Sequence, residues 1–199
     1  MQIRFLCFHT CKNENTEEYI LQNAPFHSNK GVPQWLGQGY YLWTDSDHFA
    51  HEWGYLPPRN NKYAIIKFNF MLDNDKEFLD LVGNVDDQIA FKNLVDLYRN
   101  HLNDEIEKSK DKSKRKIARE QLSNLCVSTV IHFFQKRKVF TYKAVKAQDI
   151  DSNQTKSLAF VKRTEGKISS LFYPTRQQIV VYEHGRFALS NAVLHHIQQ

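Results

Sequence analysis

The stretch GQGYYLWTDSDHFAHEW, residues 37–53, sets two glycines and two adjacent tyrosines in front of the start of a helix. The whole chain has only seven glycines, so two of them one residue apart indicate a tight turn or a close approach of the backbone. The polar run TDSD offers Thr44 and Ser46 as helix caps. We therefore predict a strand or turn, then a helix that begins after Tyr41. The residues that this helix carries inward are Phe49, Ala50 and Trp53.

The composition is that of a folded globular protein with one domain. The chain has 199 residues, of which 41% are hydrophobic and 13% aromatic. This excludes a disordered or fibrous chain and favours a single domain. The N-terminal MQIRFLCFHT lacks the features of a secretory signal, and no apolar run approaches the roughly 18 residues of a membrane span. With three cysteines and no CxxC pair, we expect a cytoplasmic protein without a disulfide framework.

The charge balance allows an acidic partner without requiring one. The net charge is +5 and the isoelectric point is near 9.0. Much of the excess lies in KSKDKSKRKIAR, residues 108–119. Such a segment is typical of a solvated helix face, and it is also compatible with an arm that contacts phosphates. Nucleic acid is therefore one class of partner.

The first strand contains three potential metal ligands, Cys7, His9 and Cys11. Alternation along the strand points all three to one face, but the fourth ligand of a structural zinc site is missing. We therefore expect no metal site.

Strand-like segments occupy both ends of the chain. The segment MQIRFLCFHT predicts a first strand that ends near His9, and TEEYILQN predicts a short helix capped by Thr16. KYAIIKFNFML has strand composition throughout. Four later segments also have it: KVFTYKAVKA, SLAFVKR, KISSLFY and QQIVVYE.

The middle of the chain has helical spacing instead. Apolar residues recur at this spacing from Asp75 to about Lys110, divided near Gly83, and again from Lys116 to Gln135. The C-terminal ALSNAVLHHIQQ is also helix-like. These patterns predict an α+β domain over residues 1–199, in which both termini join one mixed sheet and a helical insert occupies about 73–136.

Three short motifs stand out: FHT at 8–10, GQGYYL at 37–42 and TRQQIVVYE at 175–183. Together they resemble the ADP-ribosyltransferase superfamily, in its branch built on a His, a Tyr and a third polar residue, as in diphtheria toxin and the poly(ADP-ribose) polymerases. The resemblance implies a split β-sheet core and NAD as co-substrate, with no metal. It spans both ends of the chain and leaves the helical insert unmatched.

The motifs of that family match this chain residue by residue. Its first strand ends in a His followed by a small residue, as in His9-Thr10. Its second motif is Gly-x-Gly-x-Tyr, matched by Gly37, Gly39 and Tyr41, followed by an apolar residue and a short helix with an Ala, here Leu42 and Ala50. Its late strand usually begins with a catalytic Glu, and this chain has Gln178 there, as some bacterial members do.

The resemblance implies a role for each matched residue. His9 hydrogen-bonds the adenosine-side ribose of NAD, and the backbone of Thr10 holds the nicotinamide amide. Tyr41 stacks on the cationic nicotinamide ring, and Gly39 lets the backbone approach the ligand. Gln178 orients the ribose hydroxyl beside the scissile bond. The catalytic set is therefore Gln178, Tyr41 and His9, with Tyr40 and Trp53 assigned to packing.

Other polar residues near these motifs receive different assignments. Glu183 is an alternative carboxylate, although alternation points it away from Gln178. Arg176 either binds a phosphate of NAD or is exposed, and we favour exposure. His195 and His196 are assigned to packing or solvent.

The resemblance implies an NAD-dependent mono-ADP-ribosyltransferase, because an amide at Gln178 orients a hydroxyl but brings no charge for chain growth. Among its relatives are bacterial and phage-encoded toxins of toxin–antitoxin and phage-defence systems, so an antitoxin protein is a possible partner. The basic insert favours RNA or DNA over protein as the acceptor. Two alternatives remain open at this point: an NAD glycohydrolase, and an inactive module that binds NAD or nucleic acid.

Overall fold

The computed structural model describes residues 2–149, 156–162 and 168–198. For residues 156–162 and 168–173 it describes the backbone alone. Within these residues the chain forms a seven-stranded mixed sheet and a separate two-stranded sheet. The strands are β1 (Ile3–Lys12), β2 (Tyr40–Thr44), β3 (Tyr63–Leu72), β4 (Phe78–Asp80), β5 (Ala144–Asp149), β6 (Lys156–Lys162), β7 (Ile168–Tyr173), β8 (Arg176–Val181) and β9 (Leu189–Gln198). The α-helices are α1 (Glu17–Asn23), α2 (His48–Tyr55), α3 (Val85–Lys108), α4 (Lys112–Ser123) and α5 (Val127–Lys136).

The strand order of the large sheet is β4-β5-β8-β2-β1-β3-β9. Only β4 and β5 pair in parallel, and the other neighbours are antiparallel. The predicted α+β class and the mixed sheet that contains both chain ends are therefore confirmed. The small sheet is the β6–β7 hairpin. Two ends of the strands predicted there, Arg163 and Lys167, lie outside the described residues.

The two faces of the large sheet bury different partners. One face packs against α1 through the fully buried Ile20. On the other face, α2 covers β1 to β3 with Phe49 and Ala50, while α3 to α5 cover β4, β5 and β8. No helix in the described part of the chain is long and apolar enough to cross a membrane.

Side-chain caps begin several of the helices where the sequence supplies the right residue. The Thr16 hydroxyl accepts the backbone N–H of Tyr19 at the start of α1, as predicted. Asn84 caps α3 in the same way. At α2, Ser46 accepts the N–H of His48, whereas Thr44 lies in β2, where its buried hydroxyl has no hydrogen-bond partner among the described residues. The predicted cap at Thr44 is therefore wrong.

The predicted helical insert at 73–136 begins later than its apolar spacing indicated. Phe78 and Leu79 belong to β4 and are buried on opposite faces of the sheet, in separate clusters. A strand covered on both faces is apolar at successive positions, which imitates helical spacing. The helix predicted over 116–135 is also two helices, because Cys126 begins α5 with a capping box to Thr129.

Two further predictions about the C-terminal third of the chain need correction. The helix-like ALSNAVLHHIQQ is strand β9, which pairs with β3 from Leu189 to Gln198. Pairing satisfies the backbone groups along the outer edge of β3, and this outweighs the helix propensity of Ala and Leu. The strand predicted over KVFTYKAVKA begins only at Ala144.

Candidate functional site

The strands β1 and β2 pair over two residues only and then separate. Their register matches Cys7 with Thr44 and Phe8 with Trp43, whereas β1 continues along β3 as far as Lys12. A cavity of about 590 Å³ opens at this split, within the range of about 300–1,000 Å³ typical of small-molecule sites. Its wall includes His9 and Thr10 from β1, Tyr41 from β2 and Gln178 from β8.

The rest of the wall is largely aromatic and partly cationic. The aromatic residues come from the segment between α1 and β2, from β2 itself and from α2, and they are Phe26, His27, Trp35, Trp43 and Trp53. Charged residues are also present on the wall: Lys12, Glu14, Arg59, Asp149 and Arg176. The cavity can therefore hold a ligand with flat rings and an anionic part.

His9 bridges the split with both ring nitrogens. Nε2 accepts the backbone N–H of Phe26 at 3.1 Å, so the proton must be on Nδ1, which donates to the Tyr41 carbonyl at 2.9 Å. Burial, with the nearby Arg59, lowers the pKa of His9 from 6.5 to about 4, against the opposing effect of the Tyr41 bond. His9 is neutral, and a ribose hydroxyl can reach Nε2 only if the N–H of Phe26 is displaced.

We expect this imidazole to make the fold sensitive to acid. The unfolded chain takes up a proton on His9 near pH 6.5 and the folded chain only near pH 4. The free energy of unfolding should therefore fall as the pH drops through that interval, by about 3 kcal/mol from this residue. Urea unfolding at pH 7 and pH 4 measures the loss, which His9→Asn should reduce and His132→Asn, an exposed position, should leave unchanged. If the wild type and His9→Asn lose the same free energy of unfolding between pH 7 and pH 4, His9 is not the source of the acid sensitivity.

Thr10 presents its backbone to the split. The Leu6 carbonyl accepts the N–H of Asp45 on the β2 side of the strand. Because backbone groups alternate along a strand, the N–H and C=O of Thr10 face the same side, where β2 has moved away. Its hydroxyl donates to the Ala50 carbonyl at 2.8 Å and so ties β1 to α2.

Tyr41 anchors the turn that precedes it. Its hydroxyl accepts the N–H of Leu36 at 3.0 Å and donates to the carbonyl of Gly37 at 2.8 Å. Burial raises the pKa of this phenol far above its usual range, so the hydroxyl remains protonated. The ring lines the cavity. The backbone of Gly37 has φ +87°, which only glycine adopts readily.

Gln178 is held in one orientation by Trp35. The indole N–H of Trp35 lies 3.0 Å from Oε1 of Gln178. Since an indole can only donate, the amide oxygen must face Trp35, and the amide NH₂ points away from it. Gln178 lies opposite Trp43 in the register of β8 with β2. The three candidate catalytic residues thus each have a hydrogen bond to the segment between α1 and β2.

Gly39 packs closely against Val180 and Val181 of the neighbouring strand β8. This corrects the expectation that the backbone of Gly39 approaches a ligand. A Cβ at this position would lie 2.7 Å from the carbonyl oxygen of Val181 and 2.7 Å from a methyl group of Val180. Gly39 does not belong to the cavity wall. It supports the site indirectly, because its backbone exchanges hydrogen bonds with Ser28.

Substitution of Gly39 by alanine should therefore destabilise the fold. The new methyl group forces β2 away from β8, and overpacking of this kind costs about 1–3 kcal/mol. Urea unfolding at pH 7 measures the change. Gly31→Ala is the matched control, because its Cβ would meet only Asn29 at 3.6 Å. The same stability for Gly39→Ala as for Gly31→Ala would show that the strands accommodate the methyl group.

The structure corrects the assignments of Arg176 and Trp53. Arg176 is only 6% exposed, lies 3.5 Å from the Asp149 carboxylate and lines the cavity. Trp53, expected to pack inward, is 39% exposed and also lines the cavity. Trp53 lies one helical turn after Phe49 and Ala50, near the C-terminal end of α2, and its ring packs edge-on against Trp43.

The remaining candidates lie away from the cavity wall. Glu183 accepts the hydroxyl of the buried Tyr40 at 2.7 Å, on the opposite face of β2 from Tyr41. Tyr40 is a packing residue, as predicted. His195 bonds the Asp47 carboxylate at 2.7 Å, and the ring of His196 packs against His51.

Sequence reasoning did not identify several residues of the wall, among them Trp35, Arg59 and Asp149. Trp35 lies two residues before Gly37, so its position within the same turn was an available signal. Arg59 follows two prolines and carries no motif. Asp149 meets Arg176 through the register of β5 with β8, which no local pattern encodes. Comparison of the chain with known protein families, curated proteins and solved structures gives no match.

Proposed function

We propose that the chain is an NAD-dependent mono-ADP-ribosyltransferase that acts on a macromolecule. The observation that carries the proposal is the convergence of His9, Thr10, Tyr41 and Gln178 on one cavity, although up to 169 positions separate them in the sequence. These are the residues of the three motifs that resemble the superfamily. The split between β1 and β2 also supports an ADP-ribosyltransferase-like core.

The chemistry of the cavity wall fits NAD. The dinucleotide consists of two flat rings, each on a ribose, joined by a diphosphate. Aromatic side chains offer surfaces for the rings, and Arg59 offers a cation for the diphosphate. The backbone of Thr10 can exchange hydrogen bonds with the nicotinamide amide, and the Tyr41 ring can stack on the cationic pyridinium.

The proposed reaction breaks the bond between C1 of the ribose and the nicotinamide nitrogen. The electron pair of that bond goes to nicotinamide, which leaves neutral, and the ribose develops oxocarbenium character. A nucleophilic atom of the acceptor then bonds to C1 and loses its proton to a base. Gln178, held by Trp35, orients the adjacent ribose hydroxyl with its amide dipole. Because this amide carries no charge, we propose transfer of a single unit without chain growth.

The acceptor is proposed to be a nucleic acid, with RNA favoured over DNA and protein. Helix α4 displays exposed basic side chains, including Lys112, Lys114 and Arg119, and such a surface attracts polyanions. A role as a toxin of a toxin–antitoxin or phage-defence system is part of the same proposal. It would imply an antitoxin protein as a further partner.

The proposal is tested by incubating the purified protein with NAD and, in separate reactions, with total RNA, DNA or cell-lysate protein. We expect nicotinamide release and a mass increase of one ADP-ribose unit on one acceptor class. Free ADP-ribose without an adduct in any reaction would assign the protein as an NAD glycohydrolase instead. Binding of NAD without release of nicotinamide would assign an inactive binding module.

A further inference from the structure

Arg59 is the one cation of the cavity wall, within the described residues, that lacks a carboxylate partner. Lys12 lies 2.9 Å from Glu14, and Arg176 lies 3.5 Å from Asp149. The described contacts of Arg59 are instead a hydrogen bond from Nε to the Trp53 carbonyl at 2.7 Å and a stack of its guanidinium on the Trp53 ring at 4.7 Å. The wall therefore carries one unmatched positive charge.

This positive charge is fixed in place and partly removed from water. Burial lowers the pKa of the guanidinium, which stays charged because an arginine keeps its proton in proteins. The stack on Trp53 sets its plane, and the bond from Nε leaves the two terminal NH₂ groups as a fork. A fork of this kind suits the oxygens of a phosphate. A half-buried cation without a carboxylate partner, at the wall of a cavity, favours an anionic ligand.

The position of Arg59 indicates which part of the ligand it contacts. The carbonyl of Arg59 accepts the N–H of Lys62, and the carbonyl of Lys62 accepts the N–H of Asn13, which directly follows β1. Arg59 therefore lies on the β1 side of the split. Gln178 lies on the β8 side. The anion and the scissile bond would therefore occupy opposite ends of the cavity.

We infer that Arg59, held by Trp53, binds the diphosphate of a nucleoside diphosphate group at the His9 end of the cavity. The inference rests on the proposed function, because it assigns the diphosphate of NAD to this end. The ribose assigned to His9 is attached directly to that diphosphate, and both side chains lie on the wall of the same cavity.

Titration calorimetry with ADP and with adenosine tests the inference. The wild type should bind ADP about ten- to hundredfold more tightly than adenosine, since a charge-assisted pair contributes that range. Arg59→Ala should remove this preference, and Arg59→Lys should retain part of it as a point charge. Arg99→Ala, on the exposed face of α3, should behave as the wild type.

Two results would overturn the inference: equal affinity of the wild type for ADP and adenosine, or an unchanged preference in Arg59→Ala. If Arg59→Ala does not fold, two other measurements test the inference: the preference of Arg59→Lys for ADP over adenosine, and the salt dependence of ADP binding by the wild type. A tenfold rise in salt that leaves the preference for ADP unchanged would also overturn it. Preference for ADP without any nicotinamide release would instead reject the proposed function and leave the diphosphate site standing.

Discussion

The substitution Gln178→Glu should raise the rate of nicotinamide release from NAD by about 100-fold, because a preorganised charge beside a developing ion is worth that much. The carboxylate keeps the bond from Trp35, since either of its oxygens can accept the indole N–H. It adds a negative charge next to the position proposed for the oxocarbenium-like ribose, whereas the amide carries no charge. The rate is measured by chromatography of nicotinamide at saturating NAD without an acceptor.

Gln177→Glu is the matched control for this charge. Gln177 precedes Gln178 on β8, alternates to the other face and does not line the cavity. The substitution Gln177→Glu adds the same charge to the same strand but outside the cavity wall, so the rate of nicotinamide release should stay unchanged. A rate for Gln178→Glu no higher than that of the wild type, in a protein of unchanged stability, would show that Gln178 does not face the reacting ribose.

The substitution Tyr41→Ala should lower nicotinamide release by about 30-fold or more. It removes the aromatic face proposed to stack on the cationic ring, and such a desolvated contact is worth about 2 kcal/mol. It also removes the anchor of the turn at Leu36 and Gly37. The loss is measured as kcat/KM for NAD.

Tyr41→Phe separates stacking from anchoring. It keeps the ring but leaves the N–H of Leu36 without the phenolic oxygen, which costs about 1–3 kcal/mol of stability. We expect it to unfold at lower urea concentration while keeping most of the activity of the wild type. If Tyr41→Phe loses as much activity as Tyr41→Ala, the hydroxyl and not the ring carries the function.

Local patterns in the sequence were sufficient for much of the fold. The Thr16 cap, the strand composition of β3 and the alternation of β1 each depend on neighbouring residues, so they predict elements and the α+β class. They fail where long-range pairing decides the structure. Strand β9 forms because β3 offers it an edge, and β4 forms because both of its faces are covered.

In the candidate site, too, local motifs predict single residues and long-range strand pairing decides which of them meet. The motifs identify His9, Tyr41 and Gln178 one by one, but only the strand order β8-β2-β1 brings them together. The hydrogen bond from the Phe26 N–H to His9 and the position of the Arg59 guanidinium depend on loop conformations. These conformations have no sequence signature.

The proposed cleavage of NAD in the cavity between β1 and β2 is best measured as nicotinamide release. The wild type is compared with Tyr41→Ala, Gln178→Glu and Glu183→Gln, whose carboxylate bonds Tyr40 outside the cavity. We expect nicotinamide release by the wild type, slower release by Tyr41→Ala, faster release by Gln178→Glu and an unchanged rate for Glu183→Gln. No release by any of the four proteins, with or without acceptors, would contradict the proposed cleavage, and so would a loss confined to Glu183→Gln.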